Sequence, residues 1–138
     1  MIIYYYSMTG DRSNDLPGRP VRLVNLTGHD VTVVTDDGNI VIPAEPGAVA
    51  PRVQRGTPQV GRLTTDLGDF DVSVWVDGNV EGLPEPGDGI VYVVSTQVLL
   101  AAPGRRDLVS PDTNPGRVVR DPNDPSRIVG VRGFQALP

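Results

Sequence analysis

Cysteine is absent from the 138 residues. Disulfides, thiolate metal sites and cysteine nucleophiles are therefore excluded, and a reducing compartment suits the chain. Lysine is also absent: all twelve basic residues are Arg. Every cation is thus a planar fork suited to bidentate contact with carboxylate or phosphate. Histidine occurs once, at His29. One imidazole without thiolates cannot supply the usual zinc ligands. No apolar run reaches the ~18–20 residues that span a bilayer. The start, MIIYYYSMTGDRSND, has no basic lead, long apolar stretch or small-residue cleavage site. It does not read as a signal peptide, so a cytoplasmic protein without membrane association is expected.

What is present is turn chemistry and charge. Gly 16 and Pro 14 imply many short elements, while 38 % hydrophobic residues suffice for one modest core. The net charge is −5. It argues against general nucleic-acid binding, whose affinity comes largely from neutralising phosphates. The charge is uneven: residues 100–138 carry a balance of +2, leaving −7 for the first 99.

The pattern reads as mainly β (β-rich α+β): a single compact domain of short antiparallel strands over 21–138, with one short helix near 96–102. Residues 1–20 read as an N-terminal extension, with a strand at 2–6 and a loop at 10–20. VRLVNL at 21–26 is strand-like. DVTVVTDDGNIVIP at 30–43 predicts a hairpin centred on Asp37-Gly38, a type I′ turn dipeptide. Strands are expected near 59–64 and 70–77. The second alternates Val72, Val74 and Val76 against Asp71, Ser73, Trp75 and Asp77. Trp75 is either core from its own side or a platform for a flat ligand. IVYVVS at 90–95 is a continuous apolar run of the doubly buried kind. TQVLLAA is the helix candidate, with Ser95 or Thr96 as its cap and Pro103-Gly104 as its stop. GRVVRD and RIVGVRGF predict a terminal hairpin around DPNDPS.

No diagnostic catalytic spacing appears. A triad or general acid would have to use His29, whose ring more simply bonds nearby backbone or contacts a ligand. DPNDPS lacks the spacing and distal Glu of a calcium loop. Neither a P-loop nor a dinucleotide glycine pattern occurs. No metal or cofactor is expected. The segment GRRDLVSPDT gathers Arg105, Arg106, Asp107, Ser110, Asp112 and Thr113. One reading is a surface loop pinned by its own ion pairs and Asx or Ser/Thr turns. The other is a recognition loop, with Arg for phosphate, Asp for ribose and hydroxyls for adaptable hydrogen bonds. Arg117 and Arg120, three apart on a strand, are expected to point to opposite faces unless a bulge intervenes.

VNLTGHDVTVV at 24–34, EGLPEPGDGIVYVVS at 81–95, RRDLVSPDT at 105–113 and VVRD…RIVGVRGF at 118–134 together carry a resemblance. The chain resembles a family of small phage and bacterial proteins with VNLTPH-like, GLPEP, YIVS, RxDLxxPDT and VRDxxGxIxGVxxF motifs. The match covers about 21–137. Gly28 stands where the family has Pro, the last turn is longer, and the first 20 residues are extra. The resemblance implies a small phage-type accessory protein and no established enzyme activity. From that setting comes the expectation of an anti-defence sponge: a homo-oligomer that sequesters a small anionic, nucleotide-derived immune signal without catalysis. Asn25, Thr27 and His29 of the first motif join Arg105, Arg106, Asp107, Ser110, Asp112 and Thr113 as the expected ligand-binding set. The alternative is a protein-binding or structural accessory protein with no small ligand. A hydrolase using His29 stands third.

Overall fold

The computed structural model describes residues 20–54, 56, 58–74 and 78–138. The strand expected at 2–6, the loop at 10–19 and Trp75 lie outside the described residues. Twelve short strands and one helix are described. The strands are β1 (Arg22–Asn25), β2 (Val31–Thr35), β3 (Gly38–Ile42), β4 (Arg52–Val53), β5 (Gln59–Thr65), β6 (Gly68–Val74), β7 (Val80–Glu81), β8 (Ile90–Val93), β9 (Leu108–Pro111), β10 (Val118–Asp121), β11 (Asp124–Val131) and β12 (Phe134–Gln135). The helix, α1, runs from Thr96 to Ala101. The β-rich reading with one short helix holds. No described helix is long and apolar enough to cross a membrane.

One sheet has the order β1-β8-β9-β12, and its centre is the apolar run. Val91, Tyr92, Val93 and Val94 are all buried, as a strand covered on both faces requires. Both β1 and β9 pair with β8 in parallel, and β12 closes the sheet antiparallel to β9. The sheet is therefore mixed rather than purely antiparallel. The cause lies in the chain order. A parallel pair needs a crossover connection, usually helical, and α1 lies between β8 and β9. Ser95 caps that helix, its Oγ accepting from the Val98 amide at 3.3 Å. Val98 and Leu99 face inward and join Val24, Leu26, Tyr92, Val94 and Leu108 in the main core.

The second sheet has the order β10-β11-β2-β3. It consists of two hairpins set side by side, joined where β11 meets β2 in parallel at Val131 and Val33. The expected terminal hairpin is the β10–β11 pair, with a turn confined to Pro122 and Asn123. The core here is small: Val31, Val33 and Val131, with Ile42, Val118 and Phe134 packed against it.

The β2–β3 turn differs from the one predicted. Thr35 pairs with Gly38, so the two loop residues are Asp36 and Asp37. Neither has a positive φ; that conformation falls on Gly38, at φ 123°. A type I′ turn would force two residues to positive φ, whereas this turn confines the demand to the one residue without a Cβ. The β5–β6 hairpin repeats the device in Thr65-Asp66-Leu67-Gly68, with Gly68 at φ 131°. In both turns the Thr hydroxyl donates to the Gly carbonyl, at 2.7 and 2.8 Å. T-D-x-G is thus a recurring hairpin turn of this chain.

Candidate functional site

Asn25 ends β1 at the seam between the two large sheets. Its side-chain Nδ2 donates to the carbonyls of His29 and Ile42, both at 2.9 Å. Its Oδ1 accepts from the Thr27 amide at 3.0 Å and the Thr27 hydroxyl at 2.6 Å. Two donors and two acceptor positions are the full capacity of an Asn side chain. Asn25 is also only 1 % exposed. It therefore acts as a pin that shapes the 26–30 loop and ties it to the end of β3, and it does not reach a ligand itself.

That loop forms one wall of a cleft of about 450 Å³, a volume within the usual range of ligand pockets. Thr27, His29 and Asp30 come from the loop, and Val31 and Thr32 from β2. Ser95 and Thr96, at the start of α1, form the facing wall, with Pro111 and Thr113 beside them. Ile128 through Val131 of β11 complete the lining. The surface is thus rich in hydroxyls over an aliphatic base. Among the described residues, its lining bears one carboxylate, Asp30, and one imidazole, His29, and no guanidinium.

The polar walls are cross-braced. Gln135 on β12 donates through Nε2 to the Thr96 hydroxyl and to the Pro111 carbonyl, each at 3.3 Å. The buried Ser110 hydroxyl lies 3.4 Å from that of Thr96. Asn114 donates to Gln135 Oε1 at 3.3 Å and to Asp112 Oδ1 at 2.7 Å. Asp112 also accepts from the Asn114 amide at 3.2 Å and, through Oδ2, from Arg117 Nε at 3.2 Å. These contacts, the Asn114 amide foremost, hold the Asp112 carboxyl below its ordinary pKa. Ser110 and Asp112 thereby position the Pro111–Thr113 wall from behind.

The remaining members of the expected set lie elsewhere. Asp107 is 1 % exposed and forms a two-bond fork with Arg105: Nε to Oδ1 at 2.8 Å and Nη2 to Oδ2 at 2.7 Å. Arg105 Nη2 also donates to the Pro84 carbonyl at 2.8 Å. Its hydrogen bonding to Asp107 raises the guanidinium pKa despite the opposing effect of burial. The Tyr92 hydroxyl holds the same segment through the Glu85 carbonyl at 3.1 Å. The Arg105–Asp107 pair is thus the clamp that fastens the GLPEP turn to the central sheet. Arg106 beside it is exposed. Both arginines follow the C-terminal end of α1, whereas the cleft lies at its start, a separation of about 9 Å along six helical residues.

Of the nine expected residues, Thr27, His29 and Thr113 line the cleft. Asn25, Ser110 and Asp112 support it, while Arg105, Arg106 and Asp107 lie outside it. Sequence reasoning missed Asp30, Thr32, Ser95 and Thr96 as lining residues, and Gln135 as a brace. Ser95 and Thr96 read as helix caps, and the capping role of Ser95 hid its exposure to the cleft. His29 Nδ1 lies 3.3 Å from the Asp30 carbonyl, the ring's one hydrogen bond among the described residues. No group of His, Asp and Glu among them could hold a metal ion. No protein-family model, curated protein or solved structure matches the chain.

Proposed function

We propose that the protein is a non-enzymatic binding protein whose cleft holds a small hydroxyl-bearing ligand of the nucleoside or nucleotide class. The observation that carries this reading is the composition of the cleft. Hydroxyls from four separate segments surround one space, over an aliphatic base that suits a flat ring. Hydroxyls donate and accept by rotating, so they adapt to ribose diols. The cleft's one carboxylate, Asp30, can accept from a diol and repels phosphate. The ligand therefore binds by ribose and base, with any phosphates directed to solvent. Sequestration of a nucleotide-derived defence signal by a phage-type accessory protein is the biological setting that the resemblance supplies.

A thermal-shift panel of nucleosides, cyclic nucleotides and ADP-ribose-type compounds tests this. One class raises the melting temperature and is recovered unaltered after denaturation, as judged by mass spectrometry. Thr96→Val and Thr113→Val each weaken that binding about 2- to 10-fold, the loss of one net hydrogen bond. Arg106→Ala leaves it unchanged. A panel without any shift overturns the reading, and recovery of a chemically altered compound overturns its non-enzymatic part.

A further inference from the structure

Among the described residues, the β5–β6 hairpin concentrates the largest group of exposed apolar side chains. Direct cross-strand partners share a face, so Leu63 with Phe70, Gly61 with Val72 and Gln59 with Val74 line one side. The other side carries Val60 with Ser73, Arg62 with Asp71 and Thr64 with Asp69, and an exposed Arg62–Asp69 ion pair of 3.9 Å. One face is thus apolar and the other mainly polar. The apolar face is nevertheless open: Leu63 and Phe70 are each 51 % exposed, and Leu67 at the tip is 85 % exposed. An isolated two-stranded hairpin is marginal in water and needs a further strand or a packed face.

We propose that this face is the surface through which two copies of the chain associate, apolar side against apolar side about a two-fold axis. Two observations favour a second copy. The first is area. Leu63, Leu67, Phe70, Val72 and Val74 together expose roughly 500 Å² per chain, taking roughly 200 Å² for each fully exposed large side chain. A symmetric pair that covers this surface in full buries roughly 1,000 Å², the threshold for a specific interface. The second is shape. Gly61 leaves a hollow in the face, and a Cβ placed there would meet only the Val72 carbonyl, at 3.7 Å. Phe70, in the next pair on the same face, stands beside it as a projecting knob. A two-fold axis seats Phe70 of one copy over the partner's Gly61 and repeats the contact in reverse, the self-complementarity that an isologous dimer needs.

The test is native mass spectrometry and light scattering of the full chain over a concentration series. The wild type is expected as a dimer. Phe70→Asp and Gly61→Val each weaken association at least tenfold, whereas Thr64→Asp on the opposite face leaves it intact, with circular dichroism and melting reporting the fold. The cysteine-free background adds a readout that does not depend on a disruptive substitution: with a short bis-maleimide, Leu63→Cys cross-links between copies and Thr64→Cys does not. A monomeric wild type, or a dimer indifferent to Phe70→Asp and cross-linked equally from both faces, overturns the proposal. These outcomes leave the cleft reading untouched.

Discussion

Asn25 shows how much one buried amide can organise. It donates to the carbonyls of His29 and Ile42 and accepts from the Thr27 amide and hydroxyl, so Asn25→Ala leaves several polar groups short of a partner. Each such group costs about 1–3 kcal/mol. Partial relaxation brings the expected loss to about 2–4 kcal/mol, measurable by urea denaturation. Asn25→Asp is expected to be worse, since a carboxylate has no donor for His29 and Ile42 and buries a charge. Arg105 and Asp107 follow the same logic. Asp107→Ala strands a partly buried guanidinium, and about 3 kcal/mol of stability is expected to go with it. Asp112 differs in being a pH-dependent contributor. Its folded pKa lies below the unfolded value of about 3.9. Its stabilisation is therefore complete above that value and is lost as pH falls through the folded pKa. An acid titration of the unfolding midpoint is expected to be shallower for Asp112→Asn than for the wild type.

Among the elements, two glycines illustrate two different constraints. Gly38 sits at φ 123° with open space around it, so the cost of Gly38→Ala is purely conformational. About 1–2 kcal/mol is expected from placing a Cβ in that region. Gly130 on β11 has no such requirement. A Cβ there would lie 2.9 Å from both the Thr32 carbonyl oxygen and Val34 Cγ2. Gly130→Ala therefore pushes β11 away from β2 at the base of the cleft. It is expected to lower both the melting temperature and the affinity for whichever compound the panel identifies, whereas Gly38→Ala lowers only the first. Comparing the two variants by melting and by titration separates strand contact from turn geometry. The turns themselves are local: Thr, Asp and Gly at fixed offsets close both hairpins without help from the rest of the chain.

At the scale of the molecule, the chain is built around two small sheets whose seam forms the cleft. Neither core is large, and polar contacts fix the walls: Asn25 ties the first sheet to the end of β3 in the second, and Gln135, with Asn114 and Asp112, holds the α1 and β9 side. A cleft held open by hydrogen bonds is preorganised, because its walls are fixed before a ligand arrives. Its rim carries little positive charge, although the last 39 residues are basic. Three of the six arginines of that region are instead bonded internally: Arg117 to Asp112, Arg105 to Asp107 and Pro84, and Arg120 to the Pro125 carbonyl at 2.9 Å. Internal bonding explains why a basic stretch need not make a phosphate site. Binding in the cleft is accordingly expected to change little between low and moderate salt, since few ion pairs form there. A titration at two ionic strengths checks this.

Much was legible in the sequence because it is local. The apolar run at 90–95 announced a buried strand, Ser95 and Pro103-Gly104 bracketed the helix, and alternation on 70–74 gave the hairpin its two faces. The GRRDLVSPDT segment was readable as either clamp or contact loop, since residue types alone do not say which partner an Arg meets. Tertiary structure decided that Arg105 turns inward to Asp107, and that Thr27, Ser95, Thr96 and Thr113, up to 86 positions apart, share one cleft. It also decided that β1, β8 and β9 run parallel. Hydrogen bonds and caps act over a few residues and leave a mark in the chain, whereas a cleft between sheets depends on how separated strands pair.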